Sequence, residues 1–170
     1  MVPAVEEASE GDPAEVVRAN AEAKCRSVAA SRPPGCFVVA GDTEVVVDGE
    51  VLGKPADEAQ AEQYLRLLAG RPHEVFGAVS VCGPTASDRE PRTEVCVTAV
   101  TFAPADEALI AACLASGEWI GRAGGYAVQG LGAGMVESVL GDLSNVIGLS
   151  LPALARLAPR LVPHARHNQG

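Results

Sequence analysis

The chain has 170 residues, enough for one domain, or one domain with two lobes, around a real apolar core. Apolar residues make up 48%, yet only one Trp, two Tyr and three Phe occur, so Val, Leu and Ala must build that core. A net charge of −9 with no basic stripe excludes a nucleic-acid surface, and no apolar run is long enough to cross a membrane. The acidic start is unlike a signal peptide. Cys25, Cys36, Cys82, Cys96 and Cys113 show neither paired spacing nor a zinc pattern. They read as reduced, mostly core residues of a cytoplasmic protein.

Asp12-Pro13 is a helix start, an N-cap acid followed by proline at the first helical position. The helix is expected to run to about Ala30, with Val17, Ala21, Lys24 and Val28 along one face. Residues 31–35 break it. The apolar run 36–40 then reads as a buried strand that ends at Asp42 and Thr43. An acid at a strand end is how α/β proteins present a carboxylate at a ligand-facing edge. Asp48-Gly49, between apolar segments 45–47 and 50–52, is the strongest two-residue hairpin signal. The hairpin is expected to deliver Lys54, on a Gly-Lys-Pro turn, back toward Asp42. A carboxylate and an ammonium joined in this way point to a site for a metal and a phosphate.

The 13 basic residues include only two lysines, Lys24 and Lys54. Where Arg serves the surface so freely, a scarce Lys is expected for its compact charge. A second helix is expected over 57–70, with Ala61, Leu65 and Leu68 on its apolar side. Arg71 and His73 follow its end, where cations suit the helix macrodipole. Segments 73–82 and 93–102, joined by the polar loop 83–92, alternate with period two and read as an antiparallel pair. Pro104 opens a third helix, 105–115, which ends before Gly117.

Residues 121–134 are rich in glycine, as where backbone must approach a ligand or another strand. Gln129 within this stretch carries one acceptor and two donors, enough to read the polar edge of a ligand. Trp119 and Tyr126 either stack on a base or pack in the core or rim. Segment 135–140 reads as a strand, and 143–161 as a final helical region broken by Gly148 and Pro152. The chain is expected to be one domain over 1–162, without repeats or linker, followed by a frayed tail at 163–170.

Four segments, in order along nearly the whole chain, together resemble the Maf family of nucleoside triphosphate pyrophosphatases. The first runs from Ala40-Gly41-Asp42-Thr43 to Gly53-Lys54-Pro55, and the second is Leu68-Ala69-Gly70-Arg71-Pro72-His73-Glu74-Val75. The third is Gly121-Arg122-Ala123-Gly124-Gly125-Tyr126-Ala127-Val128-Gln129-Gly130. The last, Gly141-Asp142-Leu143-Ser144-Asn145-Val146-Ile147-Gly148-Leu149, is followed by Ser150 where the family usually has Pro.

The resemblance implies an α/β fold, a mixed, twisted sheet with flanking helices and two lobes around a central cleft. It implies hydrolysis of dTTP or UTP, and of modified pyrimidine nucleotides, to the monophosphate and pyrophosphate, with Mg²⁺ or Mn²⁺ as cofactor. Asp42 matches the family's proton acceptor and metal-side carboxylate, and Glu7 a second metal-side acid. Lys24 and Lys54 match the phosphate-site lysines, and Thr43 a position linked to substrate choice. Gln129 matches the base-reading residue of the dTTP/UTP branch, where the 7-methyl-GTP branch has Glu. Arg71 is grouped with the substrate-binding residues. A nucleoside triphosphate is the expected partner, and a homodimer the expected assembly.

The family's opening strand and its triphosphate-clamping Ser-x-Ser-Pro-Arg-Arg loop are not among the segments matched. Two expectations follow, a misplaced start or a short form with impaired activity. Each charge-assisted hydrogen bond lost from the clamp would cost ~1.5–3 kcal/mol. The short form raises a rival reading, a nucleotide- or partner-binding module without hydrolysis.

Overall fold

The computed structural model describes residues 11–33, 35–104 and 106–162. Helix α1, Pro13–Ala30, starts as its sequence requires, with the Asp12 carboxylate accepting from the backbone N–H groups of Ala14 and Glu15. Strand β1, Val38–Val47, turns through Asp48 and Gly49 into β2, Glu50–Leu52. Both turn residues have positive φ, 51° and 83°, as a type I′ hairpin demands. Helix α2 is Glu58–Leu68, followed by the paired strands β3, Pro72–Cys82, and β4, Arg92–Phe102. Helix α3, Glu107–Ser116, begins two residues later than expected because Asp106, rather than Pro104, supplies the N-cap.

Strand β5 is Val136–Leu140, and the final helical region divides into α4, Leu143–Ile147, and α5, Leu151–Leu157. Ser150, at the position where a proline was the usual residue, caps α5 by accepting from the backbone N–H of Ala153. Ser and Pro152 thus share the start of that helix, one as cap and one inside its first turn.

The strands form one sheet in the order β2-β1-β3-β4-β5. The expected α/β class, with flanking helices, is what the chain adopts. In place of the mixed sheet, every strand pairing among the described residues is antiparallel. Connectivity accounts for two of these pairings: β1–β2 and β3–β4 are joined by links too short for a parallel crossover.

The two faces of the sheet are covered differently. Alternation sends Ala78 and Cys82 of β3 toward α1, where they meet Val17, Ala21, Cys25 and Ala29. It sends Val75, with Val45, Val47, Val100 and Phe102, to the opposite face, against Leu65 and Leu68 of α2 and Ile110 of α3. Val79 and Val81 continue that face under Ala153 and Leu154 of α5. All five cysteines are free. Burial pushes the Cys25 thiol up to about 12, so it serves as an inert core residue beside Cys82.

Two features set up the functional site. First, β1 is one ten-residue strand, Val38–Val47, that runs on through Asp42 and Thr43 instead of ending there. Asp42 is therefore mid-strand, a correction to its expected place at a strand end. A charged residue is tolerated there because β2 pairs only with 45–47, so among the described residues 38–44 have a neighbour, β3, on one side only.

Second, α4 is pinned to the middle of the sheet by Asn145, 1% exposed, whose Nδ2 donates to Val75 O (3.0 Å) and Thr98 Oγ1 (3.2 Å). Gly77 makes room for it, since a Cβ there would lie 2.0 Å from Asn145 Oδ1. Gly77→Ala is expected to destabilise the protein by roughly 3 kcal/mol, through overpacking and loss of these bonds. Thermal denaturation should then show Tm lowered by about 6–12 °C.

Candidate active site

A cavity of about 240 Å³ opens at the β1 edge. β1 contributes Asp42 and Thr43, α1 contributes Lys24, and the turn after β2 contributes Lys54. The glycine-rich segment closes one side with Arg122, Tyr126 and Gln129, and the end of α4 another with Ile147 and Gly148. Residues far apart in the chain thus converge as the sequence led one to expect. Asp42, Lys24, Lys54, Thr43 and Gln129 all line this single cavity.

Local sequence explains the convergence. The tight Asp48-Gly49 turn returns the chain beside β1, and the β2 end places Gly53-Lys54 at the rim. There the Gly53 carbonyl accepts from the backbone N–H of Gly124 (3.1 Å). Gly124 has φ +68°, and a Cβ on it would meet the Val45 side chain at 3.0 Å. Glycine alone lets the segment carrying Arg122 and Gln129 lie this close to β1.

Asp42 is 8% exposed and both its oxygens are engaged. Lys24 Nζ donates to Oδ1 at 2.5 Å, and Asn20 Nδ2 donates to Oδ2 at 3.0 Å. Among the described residues the cavity lining carries three cations, Lys24, Lys54 and Arg122, against one carboxylate, Asp42. In a protein of net charge −9 this is a local reversal of sign. Such a pocket, walled by low-dielectric protein, focuses attraction on anions.

Arg71 stands apart from this group. It lies outside the cavity lining, exposed, and pairs with Asp48 at the hairpin tip (3.1 Å). Glu7 lies outside the described residues. Trp119 is also away from the cavity, its indole N–H donating to Leu114 O at the end of α3 (3.1 Å).

His73 is core, 3% exposed, behind the cavity wall. Its Nε2 is hydrogen-bonded to the Tyr126 hydroxyl (2.9 Å), and it packs edge-on against Phe102 and Tyr126. Burial lowers its pKa to about 4. The unfolded chain therefore takes a proton near pH 6.5 that the folded chain refuses until about pH 4. Stability from this group is fully present above pH 6.5 and is lost as pH falls toward about 4, by roughly 3 kcal/mol. Unfolding midpoints measured across that range should fall for the wild type and flatten for His73→Phe.

Three useful residues escaped the sequence reading. Arg122 lay inside a recognised motif, but its signal, a cation among glycines, was passed over. Asn20 stands four residues before Lys24 on a face otherwise apolar, and an amide there was a readable signal. Asn145 also lay inside a recognised motif, but its structural role depends on the gap over Gly77. Among the described residues no group of three or more His, Cys, Asp and Glu could hold a metal by itself.

An antiparallel α/β sheet with a carboxylate and three cations at one edge defines a protein built to bind a polyanion. The chain is matched over residues 1–161 by the family described as Maf-like protein, and it belongs to that family. It is 47% identical to a dTTP/UTP pyrophosphatase of Paramagnetospirillum magneticum, over 81% of this chain and 70% of that protein. It is 45% identical to a dTTP/UTP pyrophosphatase of Novosphingobium aromaticivorans, over 76% of this chain and 63% of that protein. A dTTP/UTP pyrophosphatase of Koribacter versatilis is 40% identical over 94% of this chain and 79% of its own length. The matched region thus spans between 63% and 79% of these relatives.

Proposed function

We propose that this chain is a nucleoside triphosphate pyrophosphatase that hydrolyses dTTP and UTP to the monophosphate and pyrophosphate. The observation that carries the reading is the cavity with three cations and one half-sequestered carboxylate. The names of the relatives supply the substrate class.

In this reading the triphosphate enters with its charge toward Lys24, Lys54 and Arg122. Lys24 exchanges its contact with Asp42 Oδ1 for a phosphate oxygen, and that exchange frees Oδ1 to accept the proton of the attacking water. The ammonium groups and the guanidinium offset charge that grows on the phosphate oxygens as the bridging bond breaks. Thr43, turned by alternation to the other face of β1 from Asp42, lines the cavity on the Gly148 side. Gln129 reads the base by donating to O4 and accepting from N3 of uracil or thymine.

One cavity carboxylate fits Mg²⁺ or Mn²⁺ that arrives with the nucleotide, since Mg²⁺ is held by one or two carboxylates plus substrate phosphates and water. Asp42, through the water it deprotonates, and Glu7 as the second acid would hold it, and its charge would activate water and neutralise phosphate. A cytoplasmic location belongs to this proposal and is supported by the five free cysteines. No helix among the described residues is long and apolar enough to cross a membrane. A homodimer would use the sheet face around Val97 and Leu140, 49% and 79% exposed.

The test is purified protein, a panel of nucleoside triphosphates and a pyrophosphate assay. Release from dTTP and UTP that EDTA abolishes and Mg²⁺ or Mn²⁺ restores is expected. Gln129→Glu should shift the preference away from pyrimidines toward a base such as 7-methylguanine. Binding without any release would return the binding-module reading.

A further inference from the structure

We propose that Asn20 is a positioning residue that clamps Oδ2 of Asp42, so that Oδ1 alone is presented to the cavity. The proposal rests on the pyrophosphatase reading above. Asn20 and Lys24 stand one helical turn apart on the inward face of α1. Each takes one oxygen of the same carboxylate, Asn20 at Oδ2 (3.0 Å) and Lys24 at Oδ1 (2.5 Å).

The two donors are not equivalent. Lys24 lines the cavity, and its side chain is 26% exposed, so an incoming phosphate can reach it. Asn20 is 2% exposed and absent from the lining, so no solute reaches it. Lys24 is therefore the exchangeable partner of Asp42, and Asn20 the permanent one.

The neighbours of Asn20 make the case stronger. The other buried residues of α1 are Val16, Val17, Ala21, Cys25 and Ala29. An amide set among them costs stability unless it is hydrogen-bonded, and an apolar residue would pack there without that cost. The amide is uncharged and gives up no proton near neutrality, so it holds Asp42 without competing for the proton that Oδ1 is to take. With Oδ2 fixed from behind, rotation of the carboxylate about its Cβ–Cγ bond is checked when Lys24 leaves. A reacting water then meets one oxygen in one orientation.

Two measurements test this. Steady-state kinetics with dTTP and Mg²⁺ should show kcat lowered about 10–100-fold by Asn20→Leu, the usual scale for groups that orient a site from behind. KM should stay within about threefold, because the phosphate and base contacts lie elsewhere. Asn20→Asp keeps the shape but places an acceptor against Oδ2, and should lower kcat further still.

The second measurement needs no turnover. In ¹⁵N–¹H spectra of the protein without nucleotide, the side-chain amide of Asn20 should shift, and exchange faster with water, on going from wild type to Asp42→Ala. An amide signal that Asp42→Ala leaves unmoved overturns the proposal. So does a kcat within twofold of wild type in both Asn20 variants, or a loss confined to KM. A wild type that hydrolyses no nucleotide defeats the pyrophosphatase reading by itself, and the amide signal still decides whether Asn20 holds Asp42.

Discussion

Asp42→Asn is expected to lower kcat for dTTP and UTP by about 10²–10⁴-fold, the span that a positioned proton acceptor supplies. Asp42 is the sole carboxylate among the described residues that line the cavity, and its Oδ1 lies 2.5 Å from the ammonium of Lys24. The amide introduced by this substitution keeps the shape: its oxygen accepts from Lys24, and its NH2 meets Asn20, whose own amide can turn to offer its oxygen, so the fold should persist. It cannot accept the proton of the attacking water, and it is a poor ligand for a divalent cation. Pyrophosphate release under saturating nucleotide and metal checks the loss, and circular dichroism checks the fold. Turnover at the wild-type rate would remove Asp42 from the chemistry.

The second large effect separates the two lysines. Lys54→Met should lower kcat/KM by about 100-fold or more, as removal of one group that stabilises transition-state charge does. Because Lys54 is exposed at the rim, its loss should move stability by no more than about 1 kcal/mol. Lys24→Met should lower activity to a similar degree and also destabilise the fold. Its ammonium compensates a carboxylate that is almost buried, with side-chain exposures of 26% and 7% for the pair.

Breaking a fully buried pair costs about 3–5 kcal/mol, and the part-exposed Lys24 should bring the figure below that range. Paired measurements of kcat/KM and unfolding midpoint would show the contrast. Equal stability losses in the two variants would contradict the different roles assigned to them.

Much of this was legible in the sequence because the signals are local. The cap at Asp12, the Asp48-Gly49 turn and the period-two strands each depend on a few adjacent residues, and all recur in the structure. The scarcity of lysine was likewise a sound guide, since both lysines reach one cavity. Arg71 shows the limit of a motif. It sits in a recognised segment, yet its side chain runs to the hairpin tip and pairs with Asp48 outside the cavity. A motif locates backbone, but the direction of a long exposed side chain is set by whichever partner lies nearest.

By its own residues, the sequence determined the elements, their order and the α/β class. Short-range rules of dihedral preference, capping and alternation are sufficient for that. Only the tertiary structure decided that Asp42 is mid-strand, that Asn20 and Lys24 divide its two oxygens, and that Arg122 adds a third cation. It alone paired Gly77 with Asn145 and put His73 in the core. Those facts depend on which faces meet across the sheet, and contact between faces is a property of packing that no stretch of neighbouring residues contains.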